Sequence, residues 1–306
     1  MNRSVFSACA FAFLLLANVS LIAQGPKEVL VTPEEFEAKL GYQSGTISLL
    51  DGSATLRLPT SFRFIGPESS RRLLTKAWGN PPGAAEDVLG MLIPSAVSPL
   101  TAEGWGIVIT YEEDGFINDN DAASINYAKV LKQMQDSTVA ANAERQKQGF
   151  GSVTVVGWAE PPFYDPAAHK LFWAKELMFG DDSDHTLNYN IRVLGRRGVL
   201  VLNAVAGMNQ LTSIRNQTRD VLTAVDFKEG HRYTDYLPGT DKAATYGITG
   251  LIIGATAAKA GFFKVLLVGL LAFKKLIIVG FIALLAALKN LFGGETKPVP
   301  SDTLQQ

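Results

Sequence analysis

The chain has 306 residues, 47% of them hydrophobic, and a formal net charge of −1. The charge is uneven: residues 24–242 carry 21 Lys and Arg against 27 Asp and Glu, whereas residues 243–306 carry 6 Lys and 2 acids. An acidic body before a basic end argues against nucleic acid as a partner and suits a segment held near anionic lipid.

The first 23 residues have the layout of a signal peptide. Arg3 precedes an apolar core from Val5 to Leu16, and small and polar residues follow. The single cysteine, Cys9, lies inside this segment. Cleavage after Ala23 would leave a mature chain without disulfides, zinc thiolate sites or cysteine nucleophiles. An uncleaved signal anchor is the alternative.

The exported domain, residues 24–242, begins with a hairpin. Residues 45–59 alternate apolar and polar side chains around Asp51-Gly52, which predicts two strands and a tight turn. A short helix ending at Trp78 follows. Strands are then predicted at residues 88–93 and 105–111, which are rich in β-branched and aromatic residues.

A long middle helix is predicted from about Asp121 to Gln148, because apolar side chains keep helical spacing until Gly149. The next four predicted strands, joined by short turns, form an antiparallel meander; they cover residues 153–160, 170–179, 186–194 and 199–206. A last helix, residues 211–225, packs on the sheet. This order predicts an α+β fold built on antiparallel sheet.

The third strand of the meander alternates strictly. Leu187, Tyr189, Ile191 and Val193 alternate with Asn188, Asn190 and Arg192. This pattern is typical of a half-buried strand, with its polar side chains on the open face.

The C-terminal region is strongly apolar. Residues 243–264 are rich in Gly and Ala and predict a juxtamembrane or membrane helix, and residues 265–288 are long enough to span a bilayer. The predicted anchor residues are Val265, Leu276, Phe281 and Leu288. Two alternatives remain open: a two-span hairpin turning at the charged pair Lys274–Lys275, and a basic helix lying in the membrane interface. Residues 293–306 form a polar tail.

An acidic run before the middle helix is a candidate cation site. Glu113, Asp114 and Asp119 supply the oxygen ligands that Ca²⁺ prefers, but the run lacks the order of an EF-hand loop. The alternative places Asp119 and Asp121 at a helix N-terminus, where their charge meets the helix dipole.

The first hairpin of the meander carries the candidate catalytic residues. Glu160, Asp165 and His169 are close in sequence to Lys175, Glu176 and several aromatic residues. Carboxylates and a histidine beside aromatic rings suit a sugar- or peptide-binding cleft, or a general acid/base pair. The alternative is a hairpin with an aromatic core and cross-strand charge pairs. The chain has no GxSxG, HExxH, P-loop or GxGxxG motif.

A small basic patch is predicted at the far end of the meander. Arg192, Arg196 and Arg197 could meet an anionic partner or a lipid headgroup. A solvated strand end and turn is the alternative reading of the same residues.

Several strings resemble a known family. GWGIVITYEEDGFINDNDAASINY (104–127), VGWAEPPFYDPAAHKLFWAKEL (156–177), TLNYNIRVLGRRGVLVLNAVAG (186–207) and LLAFKK (270–275) are similar to bacterial membrane-anchored proteins catalogued as a domain of unknown function. The resemblance implies an exported domain with a C-terminal membrane anchor, and no catalytic residue. The order of strands and helices also resembles the Mog1/PsbP-like α+β fold.

We therefore expect a non-enzymatic envelope protein without a cofactor, held in the bacterial cell membrane with its main domain on the periplasmic side. Its expected partners are the lipid bilayer and an envelope protein. The alternatives are a hydrolase using Glu160 or Asp165 with His169, and a transport or membrane-integrity component that acts through the C-terminal helices.

Overall fold

The computed structural model describes residues 32–80, 82–147 and 149–254. Within this part the chain forms twelve strands and five α-helices. The strands are β1 Thr46–Leu49, β2 Ala54–Arg57, β3 Phe62–Ile65, β4 Gly90–Pro94, β5 Gly106–Glu112, β6 Phe116–Asn118, β7 Val153–Asp165, β8 Lys170–Phe179, β9 Thr186–Leu194, β10 Val199–Gly207, β11 Val225–Phe227 and β12 Ala243–Gly247. The helices are α1 Pro33–Ala38, α2 Pro67–Arg72, α3 Tyr127–Lys147, α4 Leu211–Ala224 and α5 Ile248–Ile253; a π-helical turn, Leu73–Ala77, extends α2.

Seven strands form one antiparallel sheet in the order β3-β4-β5-β10-β9-β8-β7. Four strands that follow one another in the chain, β7 to β10, are also neighbours in this sheet, as a meander requires. A second sheet joins β1, β2 and β11. The predictions of an α+β fold, antiparallel sheets, the first hairpin and the four-strand meander are confirmed.

One face of the seven-stranded sheet packs against α4 and the three-stranded sheet. We call it the α4 face. Its buried cluster joins Ile214 and Val221 of α4 to apolar side chains of every layer, such as Leu56, Ile191 and Leu202. The helix was predicted from this spacing, since its apolar residues share one side.

The opposite face, which we call the α3 face, is covered at its two ends by different helices. Near β3, β4 and β5 the extended α2 buries Leu73, Leu74 and Trp78 in one apolar cluster. Near β8 and β9, α3 and α5 form another cluster around Leu171 and Trp173. The middle of this face lies between the two clusters.

The end of the domain differs from the prediction. The domain was expected to stop at residue 242, before a juxtamembrane helix. Instead, β12 pairs in parallel with β6, and α5 packs through Ile248, Leu251 and Ile252 against the α3-face cluster. Asp121 stabilises this helix by accepting hydrogen bonds from the amides of Ile248 and Thr249 at 2.9 Å. Residues 243–254 therefore belong to the folded unit.

The predicted signal peptide and membrane anchor fall elsewhere in the chain. Residues 1–23 and the anchor residues Val265, Leu276, Phe281 and Leu288 lie outside the described residues. Among the helices that the structure describes, none combines the length and hydrophobicity needed to cross a bilayer.

Candidate functional site

A row of buried polar side chains crosses the middle of the α3 face. We call it the polar band and define it by Thr110 on β5, Lys175 on β8, Asn188, Asn190 and Arg192 on β9, and Asn203 on β10. Each of these six residues is at most 8% exposed. The strand register brings them together: Asn190 pairs with Asn203, and Asn188 pairs with Lys175. Paired positions place Cβ atoms about 4.5–5.5 Å apart.

The prediction of β9 as a half-buried strand was wrong. All nine of its residues are buried, including Asn188, Asn190 and Arg192. The alternation itself was real, because the apolar residues of β9 lie on the α4 face and its polar residues lie on the α3 face. What the sequence did not indicate was a second covered face, to which helices distant in sequence contribute.

Two polar contacts order the side chains within the band. The Arg192 Nη1 donates to the Asn203 Oδ1 at 3.1 Å, and the guanidinium lies 4.9 Å from the centre of the Trp173 ring. The Asn190 Nδ2 donates to the Asn188 Oδ1 at 2.9 Å. The side-chain oxygens of Asn188 and Asn203 are therefore already engaged as acceptors.

Several other polar atoms at this face lack a hydrogen-bond partner within the described part of the chain. They are the Arg192 Nε, the Asn188 Nδ2, the Thr110 Oγ1 and the indole Nε1 of neighbouring Trp173. A buried polar group without a partner costs about 1–3 kcal/mol. Since native proteins satisfy most such groups, four unpartnered atoms on one face require an explanation.

The two titratable side chains of the band, Lys175 and Arg192, are both buried. Burial and, to a smaller extent, the neighbouring positive charge of Arg192 together lower the pKa of Lys175 to about 7. Burial also lowers the pKa of Arg192, against the opposing effect of the Glu112 carboxylate. Lys175 forms no ion pair with any residue from 32 to 254 that the structure describes. The band thus holds a buried arginine, a buried lysine that is partly protonated near neutral pH, and unpartnered atoms that are mainly donors.

A second cluster joins residues that were predicted for two different sites. The Tyr164 hydroxyl donates to the Asp119 Oδ2 at 2.7 Å and lies 3.2 Å from the His169 Nδ1. The His169 ring stacks on Tyr233, with 4.1 Å between ring centres. Burial lowers the pKa of His169, while Asp119 and Asp165 oppose that shift. Burial and the Asp119 carboxylate both raise the pKa of Tyr164.

The other catalytic candidates form their hydrogen bonds and ion pairs elsewhere, although the charge of Asp165 still acts on His169. Glu160 lies 3.5 Å from Arg215 of α4, on the α4 face of the sheet. Tyr164 of the histidine cluster lies on the opposite, α3 face, where it pairs with Leu171. Asp165 accepts hydrogen bonds from the amides of Ala167 and Ala168 in its own turn.

The metal candidates are also separated. The Asp114 carboxylate accepts a 2.6 Å hydrogen bond from Tyr246, Glu113 is exposed, and Asp119 belongs to the histidine cluster. No three His, Cys, Asp or Glu side chains of the described residues are grouped so that they could hold a metal ion.

The predicted basic patch is divided in the same way. Arg196 makes a two-bond contact with Asp241, at 2.7 and 3.0 Å, and Arg197 lies 3.6 Å from the same carboxylate. Arg192 alone of the three reaches the polar band. The polar band could have been predicted from the sequence. Polar residues occupy every second position of β9, and Lys175 on β8 and Asn203 on β10 continue the pattern on the neighbouring strands.

Comparison with known proteins gives a family and a few distant likenesses. A family model described as "Protein of unknown function (DUF2167)" matches residues 41–285. No curated protein matches the chain. Among solved structures, the PsbP of the cyanobacterium Synechocystis (CyanoP) is 9% identical and covers 62% of this chain and 94% of its own, with a TM-score of 0.35.

Two further structures are similar at the same level. The Ran-binding protein Mog1p of Saccharomyces cerevisiae is 10% identical over 61% of this chain and 96% of its own, with a TM-score of 0.30. LpqN of Mycobacterium tuberculosis, described as involved in cell envelope biogenesis, is 14% identical over 64% of this chain and 96% of its own, also with a TM-score of 0.30.

Proposed function

This chain belongs to the family described as "Protein of unknown function (DUF2167)", and we propose that it is a non-enzymatic binding protein of the bacterial cell envelope. In this proposal the C-terminal apolar segment holds the α+β domain at the membrane, on the extracytoplasmic side. The polar band on the α3 face is the place where the domain binds its ligand.

The observation that carries the proposal is the set of unpartnered polar atoms on the α3 face. A domain selected for stability alone would fill such a position with apolar side chains, because half-satisfied polar clusters are less stable than an apolar core. Binding sites commonly combine apolar walls with a few polar groups that fix the orientation of a ligand. The α3 face has this arrangement, since apolar clusters lie on both sides of the band.

Geometry favours binding over the hydrolase hypothesis. That hypothesis needs Glu160 or Asp165 to act with His169 in one cleft. Glu160 is paired with Arg215 on the opposite face, and Asp165 is engaged by two backbone amides. The Nδ1 of His169 lies against the hydroxyl of Tyr164, a side chain that burial and Asp119 keep protonated by raising its pKa.

The cellular location rests on sequence. The signal-like N-terminus, the acidic body and the basic apolar end suit an exported domain on a membrane anchor. Protease added to spheroplasts should digest the domain in the native membrane and leave a tag after Gln306 intact, as a single span requires. Protection of the whole domain would reject export, and digestion of the tag would reject the single span.

The binding proposal is tested on the full chain. We expect native mass spectrometry of the detergent-solubilised protein, prepared from its own membranes, to detect a bound small molecule. The bound mass should be lost when Lys175 is replaced by Met. Substrate turnover that survives Lys175→Met but is abolished by His169→Gln would instead support the hydrolase.

A further inference from the structure

We propose that the polar band binds an oxyanion, a carboxylate or phosphate group carried by the ligand. This inference rests on the proposed binding function and names the chemistry of that same site.

The unused groups are predominantly donors. The indole of Trp173 and the Nε of Arg192 can only donate, and so can the Nδ2 of Asn188. The acceptor oxygens of Asn188 and Asn203 are occupied by Asn190 and Arg192. A group that completes this face must therefore bring acceptors, and carboxylate and phosphate oxygens accept without donating.

The charges at the band also favour a ligand that carries a negative charge. The band holds the buried guanidinium of Arg192 and the buried amine of Lys175, whose pKa of about 7 leaves it partly protonated near neutral pH. From β5, the carboxylate of Glu112 acts on Arg192. The pKa of Lys175 is lowered chiefly by burial and also by the charge of Arg192. One negative charge near Lys175 would keep the amine protonated and balance the site.

The two buried lysines of β8 can be compared directly. Lys170 and Lys175 both lie on β8 and are both 8% exposed, but they point to opposite faces. The Lys170 Nζ donates to the Leu222 carbonyl at 2.7 Å and lies 3.1 Å from the Asp226 carboxylate. The chain thus satisfies one buried lysine with its own groups, while Lys175 has no such partner among the described residues.

The test measures binding of defined anions by the full chain in neutral detergent. Inorganic phosphate and succinate are titrated calorimetrically at constant ionic strength, with chloride as the balancing anion, so that general screening is held fixed. At least one of the two should bind saturably. Lys175→Met should weaken that binding by about tenfold or more, because it removes a charge-assisted hydrogen bond.

The matched control is Lys170→Met. It removes a lysine of equal burial from the same strand, so it should leave the dissociation constant unchanged within about twofold, although it lowers stability. Thr110→Val is a milder second variant that keeps the shape of the side chain, and it should weaken binding about three- to tenfold. Equal loss of binding in Lys170→Met and Lys175→Met would overturn the proposal.

A lipid source of the oxyanion is distinguished by a parallel measurement. Full-length protein is mixed with phosphatidylcholine vesicles that contain or lack phosphatidylglycerol, and cosedimentation is measured. Lys175-dependent preference for the anionic vesicles, together with weak binding of free phosphate, assigns the oxyanion to a lipid headgroup. Saturable binding of the free anions without that preference assigns it to a soluble ligand.

Failure of this inference differs from failure of the proposed function. If a native ligand is lost in Lys175→Met but no anion binds in either format, the oxyanion assignment is wrong and the binding function stands. If neither a native ligand nor an anion is found, both proposals are wrong, and the polar atoms of the band are satisfied within the chain.

Discussion

The Asp119 Oδ2 and the His169 Nδ1 lie 3.8 Å apart, and the hydroxyl of Tyr164 contacts both. His169 sits at the end of the β7–β8 turn with a left-handed backbone, φ 51°, which is uncommon for a residue with a side chain. The ring is fixed on its other side by Tyr233. This cluster ties the loop after β6 to the meander, and we assign it a structural role.

The first prediction concerns Asp119. Replacing Asp119 by Asn weakens the hydrogen bond from Tyr164 and should lower the free energy of unfolding by about 1–2 kcal/mol. It should also lower the pKa of His169 further, because the Asp119 charge opposes the effect of burial. A histidine NMR titration, assigned with His169→Gln, measures that change.

The sign of the pH effect follows from the same residue. His169 has a folded-state pKa below its ordinary value, so the unfolded chain takes up the proton first as the pH falls. Stability contributed by this residue is therefore lost as the pH drops below about 6.5. Asp119→Asn should steepen that loss, whereas Glu113→Gln, at an exposed position of the same acidic run, should not. An equal effect of the two variants would contradict this account.

The second prediction concerns Lys175 and alkaline pH. Its folded-state pKa is about 7, below the ordinary value of 10.5. Between these values the unfolded chain binds the additional proton, so stability should rise as the pH increases from 7 to 9. Lys175→Met should flatten this rise and increase stability at pH 7 by about 1–3 kcal/mol. Urea unfolding at each pH measures both effects.

Lys170→Met is the control for this experiment too. It should keep the alkaline rise and lower stability, because it leaves Asp226 and the Leu222 carbonyl without their donor. A flat pH profile in the wild-type chain would show that Lys175 remains charged at pH 9.

The third prediction concerns the start of α5. Burial alone would raise the pKa of Asp121, but hydrogen bonds from Thr249 and Ile248 outweigh this effect and hold the pKa below its ordinary value. Asp121→Ala should cost about 1–2 kcal/mol, the usual effect of losing an N-terminal helix cap. Asp121→Asn, which keeps one acceptor oxygen, should cost less. The stability that the carboxylate adds is present above the ordinary pKa of an aspartate, about 4, and is lost as the pH falls through its lower folded-state pKa.

Limited proteolysis is the local readout for this variant. Cleavage within residues 243–254 should increase in Asp121→Ala, while the meander stays resistant. Unchanged cleavage there would show that packing of Ile248 and Leu251 is sufficient to hold α5.

The fourth prediction concerns Gly198 in the β9–β10 turn. A Cβ at this position would lie 2.2 Å from the Glu112 carbonyl oxygen, a backbone atom that cannot move aside. Gly198→Ala should therefore cost about 1–3 kcal/mol. Gly157→Ala on β7 is the control, because its Cβ would meet no atom within 4 Å. Thermal unfolding of the two variants compares them, and equal melting temperatures would contradict the steric argument.

Local patterns in the sequence were sufficient for the elements that depend on near neighbours. The Asp51-Gly52 hairpin and the meander follow from alternation and turn residues, and α4 follows from helical spacing. The parallel pairing of β6 and β12 could not be predicted, because it joins segments more than 100 residues apart and only two register pairs define it.

The polar band was missed for a related reason. An alternating strand shows which residues share a face, but it does not show whether that face meets water or other elements. Arg192 was assigned to a surface patch with Arg196 because the two are close in sequence. In the fold, strand pairing places Arg192 beside Asn203, and Arg196 turns to Asp241.

The position of Tyr246 has a mechanical consequence. This residue lies on β12, directly before α5, and its hydroxyl donates to the Asp114 carboxylate at 2.6 Å. Tension applied to the chain beyond Gly254 would first load α5 and the short β6–β12 pair, and then displace Tyr246. Pulling on this end of the domain would therefore leave the Asp114 carboxylate without its phenol donor.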